Sequence, residues 1–227
     1  MAEMAARKEG RTKPRAPLSK DRVLRAAVKL ADKGGIESLS MRKLAQVLAV
    51  EAMSLYNHVR NKEDILNGMV DVVFSEIEVP SSPADWSAAM RQRAISARQA
   101  LLRHPWAIGL MESRVQPGAA TLRHHDSVLR NLREAGFSID MAAHAYSVLD
   151  SYIYGFTLNE LSLPFDSPKR AAEVAGNIVQ ASPIGEYRYL AEMAMDRIMK
   201  PGFDYGDEFE YGLDLILDGL KRQSAPR

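Results

Sequence analysis

Helical spacing of apolar residues runs through nearly the whole chain, and it limits the possible folds more than any other feature. Residues 20–33 place Val23, Ala26, Ala27, Leu30 and Ala31 at i, i+3, i+4, i+7 and i+8, with Ser19 as N-cap and Gly34-Gly35 as the stop. Ser40 caps a second helix, in which Met41, Leu44, Ala45 and Leu48 repeat the spacing. Ala49-Val50 makes a turn, and a third short helix runs from about Glu51 to His58. Asn61 caps a fourth, with Asp64 three residues on to complete a box-like start. Ile65, Leu66, Met69, Val70, Val73 and Ile77 are its apolar face. No β-alternation of useful length interrupts the pattern, so the fold class is all-α.

Pro80 to Pro83 break this run, and a larger helical region follows. Its helices are predicted at roughly 84–103, 105–112, 118–135, 139–162, 168–180, 186–200 and 206–222. Ser82-Pro83, Ser167-Pro168 and Ser182-Pro183 resemble cap-plus-first-turn starts, and Gly136 is a C-terminal stop. Nothing repeats at a fixed period. Three parts result: a disordered basic arm at 1–17, a helical unit at 18–78 and a larger helical domain at 79–227.

With 227 residues and 46% hydrophobic content the chain can bury a core. It has no cysteine, which excludes disulfides, thiolate metal sites and cysteine nucleophiles. No apolar run approaches the roughly 18 residues of a membrane span, and the basic N-terminus lacks a signal-type apolar core. A cytoplasmic protein with no membrane partner is expected. The net charge of +1 conceals a division. Residues 1–62 hold 14 Lys+Arg against 6 Asp+Glu, and residues 63–227 hold 16 against 23. One end is suited to a polyanion, although a solvated basic tail on an ordinary domain would give the same count.

Two short helices joined by a tight turn, between two longer ones, form a helix-turn-helix unit. In the stretch VEAMSLYNHVRNK, Val50, Leu55 and Val59 hold the second short helix, and Met53, Ser54, Tyr56, Asn57 and His58 remain to touch something else. In a helix-turn-helix that outward side lies in the DNA major groove. Tyr and His on a short helix also serve simply to cover a small core. The caps, the spacing and the local positive charge together favour DNA.

The segment GGIESLSMRKLAQVLAVEAMSLYNHVRNKEDIL resembles the DNA-binding domain of the TetR family of bacterial transcriptional regulators. The likeness joins the Gly-Ile before helix two, the LxxLA core, the LYxH signature and the entry to helix four. GFSIDMAAHAYSVLDSYIYGF and FEYGLDLILDGLKRQ are similar to C-terminal segments of the tetracycline-repressor subgroup. The resemblance implies a ligand-responsive transcriptional regulator, a repressor that binds an inverted-repeat operator as a homodimer and is released by a small-molecule effector. Alternatives are an activator of the same fold or a helical small-molecule-binding protein. In the turn the family commonly has Gly where this chain has Ala49. A positive φ there costs Ala on the order of 1 kcal/mol.

Within this motif Arg42 matches a position that reads guanine in the tetracycline repressors, with a phosphate contact as the alternative. Ser54, Tyr56 and His58 suit phosphate oxygens, Met53 a thymine methyl and Asn57 a base edge. Lys62 can pair with phosphate at the start of helix four, where helix amides add their own donors. Arg7, Lys8, Arg11, Lys13 and Arg15 with Pro14 and Pro17 form the arm, which either tracks DNA or only solubilises.

Two helices suit self-association. AAHAYSVLDSYIYGFTL is apolar on almost every side. The last helix sets Phe209, Leu213, Ile216 and Leu220 on one stripe and carries Gly212 and Gly219, which invite close approach of another helix. By resemblance these are dimer helices; an intramolecular bundle is the alternative. Trp86, Met90, Trp106, Met111, His125, Tyr146, Asp150 and Tyr154 combine apolar surface with polar handles and are the effector-site candidates. Asp150 is the only acid between Ala142 and Leu158, and an Arg partner would satisfy it structurally. His124, His125 and Asp126 lie about 100° apart on a helix and do not face one ion. Tetracycline repressors place a magnesium-coordinating His near the sixth helix, where AIGLMESR has none. No metal and no cofactor is therefore expected. HExxH, GxxxxGK, GxGxxG and a nucleophile elbow are all missing from the sequence, so no enzyme is predicted.

Overall fold

The computed structural model describes residues 17–79, 85–111, 113–181 and 183–224, and every regular element within them is helical. The arm up to residue 16, the Pro80–Pro83 break with its Ser82-Pro83 start, and Ser182 of the Ser182-Pro183 start lie outside the described residues. Helices α1 (Lys20–Gly34), α2 (Met41–Leu48), α3 (Ala52–Leu55) and α4 (Lys62–Glu76) form a head. The body comprises α5 (Trp86–Arg103), α6 (Ile108–Met111), α7 (Ala119–Glu134), α8 (Ile139–Ser162), α9 (Pro168–Ala181), α10 (Arg188–Met193) and α11 (Asp207–Ser224).

Side chains of the expected type start the head helices. Ser19 Oγ accepts from the Arg22 amide at 3.2 Å and Ser40 Oγ from the Lys43 amide at 3.2 Å. Asn61 Oδ1 accepts from the Asp64 amide at 2.8 Å. Each satisfies an amide the helix leaves unpaired, an interaction that contributes about 1 kcal/mol. The box at α4 closes one residue early: Asp64 Oδ2 accepts from the Arg60 amide at 3.0 Å, and Oδ1 receives Lys20 Nζ at 3.0 Å. Asp64 thus pins the start of α1 to the start of α4. Burial opposes its ionisation, but the Arg60 amide and Lys20 outweigh that and hold the carboxyl below its ordinary range. The head core is apolar, with Val23, Ala27, Leu44, Leu55 and Met69 fully buried. Gly68 lets α1 approach α4, since a Cβ there would lie 2.6 Å from the Leu24 methyls.

In the body, α5, α7 and α11 pack around α8. Phe209 lies in this core, stacked on Tyr152 with ring centroids 5.5 Å apart. Leu213, Leu217 and Leu220 are buried with it, and Ile216 is partly buried against the same core. The stripe expected at a dimer interface therefore faces the chain's own core. Gly212 serves the same packing: Tyr152 donates to the Phe209 carbonyl at 3.0 Å and fills the space a Cβ would need. Among the described residues Gly219 is near no such group, with the Arg222 side chain at 4.0 Å. Large apolar residues left exposed include Tyr211 and Leu215 on α11 and Val148 and Leu158 on α8.

Gly136 ends α7 with φ 93°, as the sequence predicts. The helix expected over 186–200 is broken into a 3-10 turn, α10 and a π turn at Ala194–Ile198.

Candidate nucleic-acid interface and effector site

The turn between α2 and α3 depends on one strained residue. Ala49 has φ 53° and ψ 51°, and among the described residues it is the only non-glycine with positive φ. Its amide bonds to the Gln46 carbonyl at 3.1 Å, and the Val50 amide bonds to the Ala45 carbonyl at 3.0 Å, so the α2 carbonyls are satisfied while the chain reverses. The third helix is shorter than expected. It spans Ala52–Leu55, after which the amides of His58 and Val59 both fold back onto the Leu55 carbonyl. Leu55 and Val59 are buried, and Val50 is partly buried.

That anchoring turns the other side outward. Met53 is 74% exposed and Tyr56 46%, far above the usual exposure of residues recruited to a core. Asn57, Arg42 and Lys62 are exposed, and Ser54 and His58 are half-exposed. Lys62 is the first residue of α4, where the helix amides add positive character. All seven predicted contact residues thus have accessible surface on one helix-turn-helix unit.

Six of the eight candidate effector residues belong to the body core or pack against it, and Trp106 also packs against the head core. Trp106 is at the junction of head and body, donating from Nε1 to Asp32 of α1 at 2.7 Å. His104 lies beside it, with Nδ1 2.7 Å from Asp32 and Nε2 3.2 Å from Glu76 at the end of α4. Burial opposes ionisation of Glu76, but Arg103 and His104 hold its carboxyl below the ordinary range. Trp86 packs edge-on against Phe137, and Met90 and Met111 are buried in the body core. Tyr154 is half-buried against that core.

His125, Tyr146 and Asp150 converge around Arg93, which the sequence did not single out, and His124, weighed there only as a metal ligand. Asp150 is ion-paired with Arg93, and both are at least 95% buried, with exposures of 5% and 2%. Arg93 Nε donates to Nε2 of fully buried His124 at 3.1 Å. The Tyr146 ring lies 6.0 Å from the Arg93 guanidinium, and its hydroxyl bonds to His125 Nδ1. Burial first, then Arg93 and His125, lower the His124 pKa to about 3, so its imidazole is neutral at physiological pH. Arg93 was legible in principle: it occupies the i+3 position of the apolar row Met90, Ala94, Ala97, Leu101 on α5. A charge in such a row has to find a partner.

Helix α4 joins the two regions. Gly118 gives α7 no side-chain cap, and Asp71 of α4 takes over that role, accepting from the Thr121 amide at 2.8 Å and from its hydroxyl at 3.0 Å. Three residues further along α4, Phe74 touches His124 and His125, with ring centroids 5.3 and 5.1 Å away. A cleft of about 890 Å³ between the α8–α9 connection and residues 203–206 holds none of the predicted effector residues. Glu160, which lines it, already pairs with Arg98 at 2.8 Å.

A helix-turn-helix head joined through one shared helix to a helical body with a buried polar cluster defines a DNA-binding regulator that carries a separate sensing domain. Residues 23–69 match the model of bacterial regulatory proteins of the tetR family, and residues 79–224 match the tetracyclin repressor-like C-terminal domain. The chain belongs to the TetR family of transcriptional regulators. It is 32% identical to the HTH-type transcriptional repressor DrrR1 of Streptomyces coeruleorubidus, over 94% of this chain and 81% of that one. It is also 32% identical to the class A tetracycline repressor from transposon 1721 of Escherichia coli, over 91% and 92%. Among solved structures it is similar to apo ActR from Streptomyces coelicolor, with TM-score 0.75 and 28% identity over 92% of this chain and 98% of that one. ActR in complex with actinorhodin gives TM-score 0.74 at 28% identity, over 93% and 100%.

Proposed function

We propose that the chain is a homodimeric repressor that binds an inverted-repeat operator and lets go when a small molecule occupies the body. One observation carries this reading: α4 belongs to both functions. Its first residue, Lys62, stands on the DNA side, while its Asp71 caps α7 and its Phe74 packs on His124 and His125 beside the buried cluster. A ligand that shifts α7 therefore displaces α4, and α4 carries the recognition helix through the shared head core. Regulation needs only a coupling of about 1–3 kcal/mol between ligand and DNA. Two of the similar proteins are named as repressors, which supports this direction of control, and the complex of ActR with actinorhodin supports a small-molecule ligand.

The second copy docks on apolar residues that α8 and α11 leave outside the core, Tyr211 and Leu215 with Val148 and Leu158. A two-fold axis there sets paired recognition helices on half-sites about one helical turn, roughly 34 Å, apart. Measuring retention of a random-sequence duplex pool between 50 and 200 mM salt separates this reading from a DNA-independent ligand carrier. The regulator loses affinity by about a thousandfold or more if six or more phosphates are contacted. A flat salt response would refute the DNA role. Leu215→Glu should turn a dimer into a monomer in sedimentation and remove tight binding to the duplex.

A further inference from the structure

Three buried polar atoms of one hydrogen-bonded unit have no hydrogen-bond partner among the described residues: Arg93 Nη1, His124 Nδ1 and Asp150 Oδ2. Buried polar groups are nearly always paired, and leaving one unpaired is costly, so three in one unit require a reason. Their roles follow from the bonds already present. Arg93 meets Asp150 through Nη2 and Oδ1 alone, where a two-pronged pairing would also use Nη1 and Oδ2. His124 Nε2 accepts from Arg93 Nε, so the ring proton of the neutral imidazole is on Nδ1. The unit therefore offers two spare donors and one spare acceptor. Its net charge is zero, because Arg93 and Asp150 cancel.

We propose that Arg93, His124 and Asp150 are the polar end of the effector site, and that they take an uncharged group able both to accept and to donate, a hydroxyl or a carboxamide. The inference rests on the ligand-released regulator described above and adds the chemistry of the ligand. One hydroxyl accepts from Arg93 Nη1 and donates to Asp150 Oδ2. A carboxylate would bring a second negative charge against buried Asp150, and an ammonium a second positive charge against Arg93. Neither has a counter-charge in the unit, and uncompensated buried charge is strongly unfavourable. The neighbouring rings of Phe74 and Tyr146 suit an aromatic body attached to that group.

Four fragments test this on the full chain by calorimetry: phenol and benzamide against benzoate and benzylammonium at neutral pH. The uncharged pair should bind about tenfold or more tightly than the charged pair. A double variant, Arg93→Met with Asp150→Leu, removes both charges together. It should melt at or above the wild-type temperature, as replaced buried ion pairs often do, and should lose the preference for phenol. Benzoate or benzylammonium binding as tightly as phenol would overturn the proposal, as would failure of both uncharged fragments to bind. So would a lower melting temperature for the double variant, which makes the cluster a fold-holding ion pair. Retention of the random duplex pool by unliganded wild type is read on the same preparation. If DNA binding fails while the fragment preference stands, the regulator reading falls and the site survives; the reverse pattern sinks the site alone.

Discussion

The head and the body are both helical, yet they bury different things. Among the described residues the eight buried polar or charged side chains, from Arg93 to Thr157, all belong to the body, and the head core is built from apolar residues alone. The head keeps its polar chemistry on the surface, at caps and on the face of the recognition helix. A rigid apolar scaffold with outward polar groups suits a surface that meets a fixed partner, DNA. Polar groups inside a core give up stability relative to well-packed apolar ones, and that is tolerated where something must be recognised inside.

The largest effect expected from this contrast comes from breaking the buried pair on one side only. Asp150→Ala leaves Arg93 charged and alone in the core and should destabilise the chain by about 3–5 kcal/mol in denaturant unfolding. Asn57→Ala, on the exposed recognition face, should stay within about 0.5 kcal/mol of wild type while weakening DNA binding. Equal costs at both sites would erase the distinction between the two regions.

Next come the proposed DNA contacts. Arg42→Ala should relax discrimination at one operator position by about 1–3 kcal/mol, whereas Lys62→Ala should weaken all sequences alike and lower the salt slope by about one. The reverse pattern in binding titrations would exchange the two roles.

A smaller effect is graded by pH. The folded-state pKa of His124, about 3, lies below the ordinary histidine value near 6.5, so the unfolded chain binds a proton that the folded chain refuses. Stability therefore falls on acidification between those values, by up to about 1.4 kcal/mol per pH unit. Asp64 and Glu76, whose pKa values are depressed, contribute stability that is lost only at lower pH, as they protonate. Between pH 6.5 and 5, His124→Gln should flatten the profile, and an unchanged slope would assign the dependence elsewhere. Smallest is Ala49→Gly, which relieves the left-handed strain and should stabilise the head by about 0.5–1 kcal/mol.

The same contrast decides how much the sequence discloses. Ser19, Ser40 and Asn61 act as caps because an N-cap depends on local geometry, and local geometry is written in neighbouring residues. Leu55 inside and Met53 outside follow from spacing for the same reason. The body hides more because its determinants are long-range. Asp71 caps a helix 50 residues away, and Arg93 finds Asp150 from a distance of 57. A stripe such as Phe209, Leu213 and Leu220 has the same spacing whether it meets its own core or a second copy. Only the packing of α8 through Tyr152 shows that it faces inward.

In the proposed complex the exposed face of α3 and the start of α4 read DNA as a two-fold pair. Selection of random duplex DNA by the full chain at physiological salt, followed by sequencing of the retained fraction, tests it most directly. The retained fraction should carry an inverted repeat with half-site centres about one helical turn apart. A folded protein that enriches no sequence, or enriches a single unpaired half-site, would contradict it.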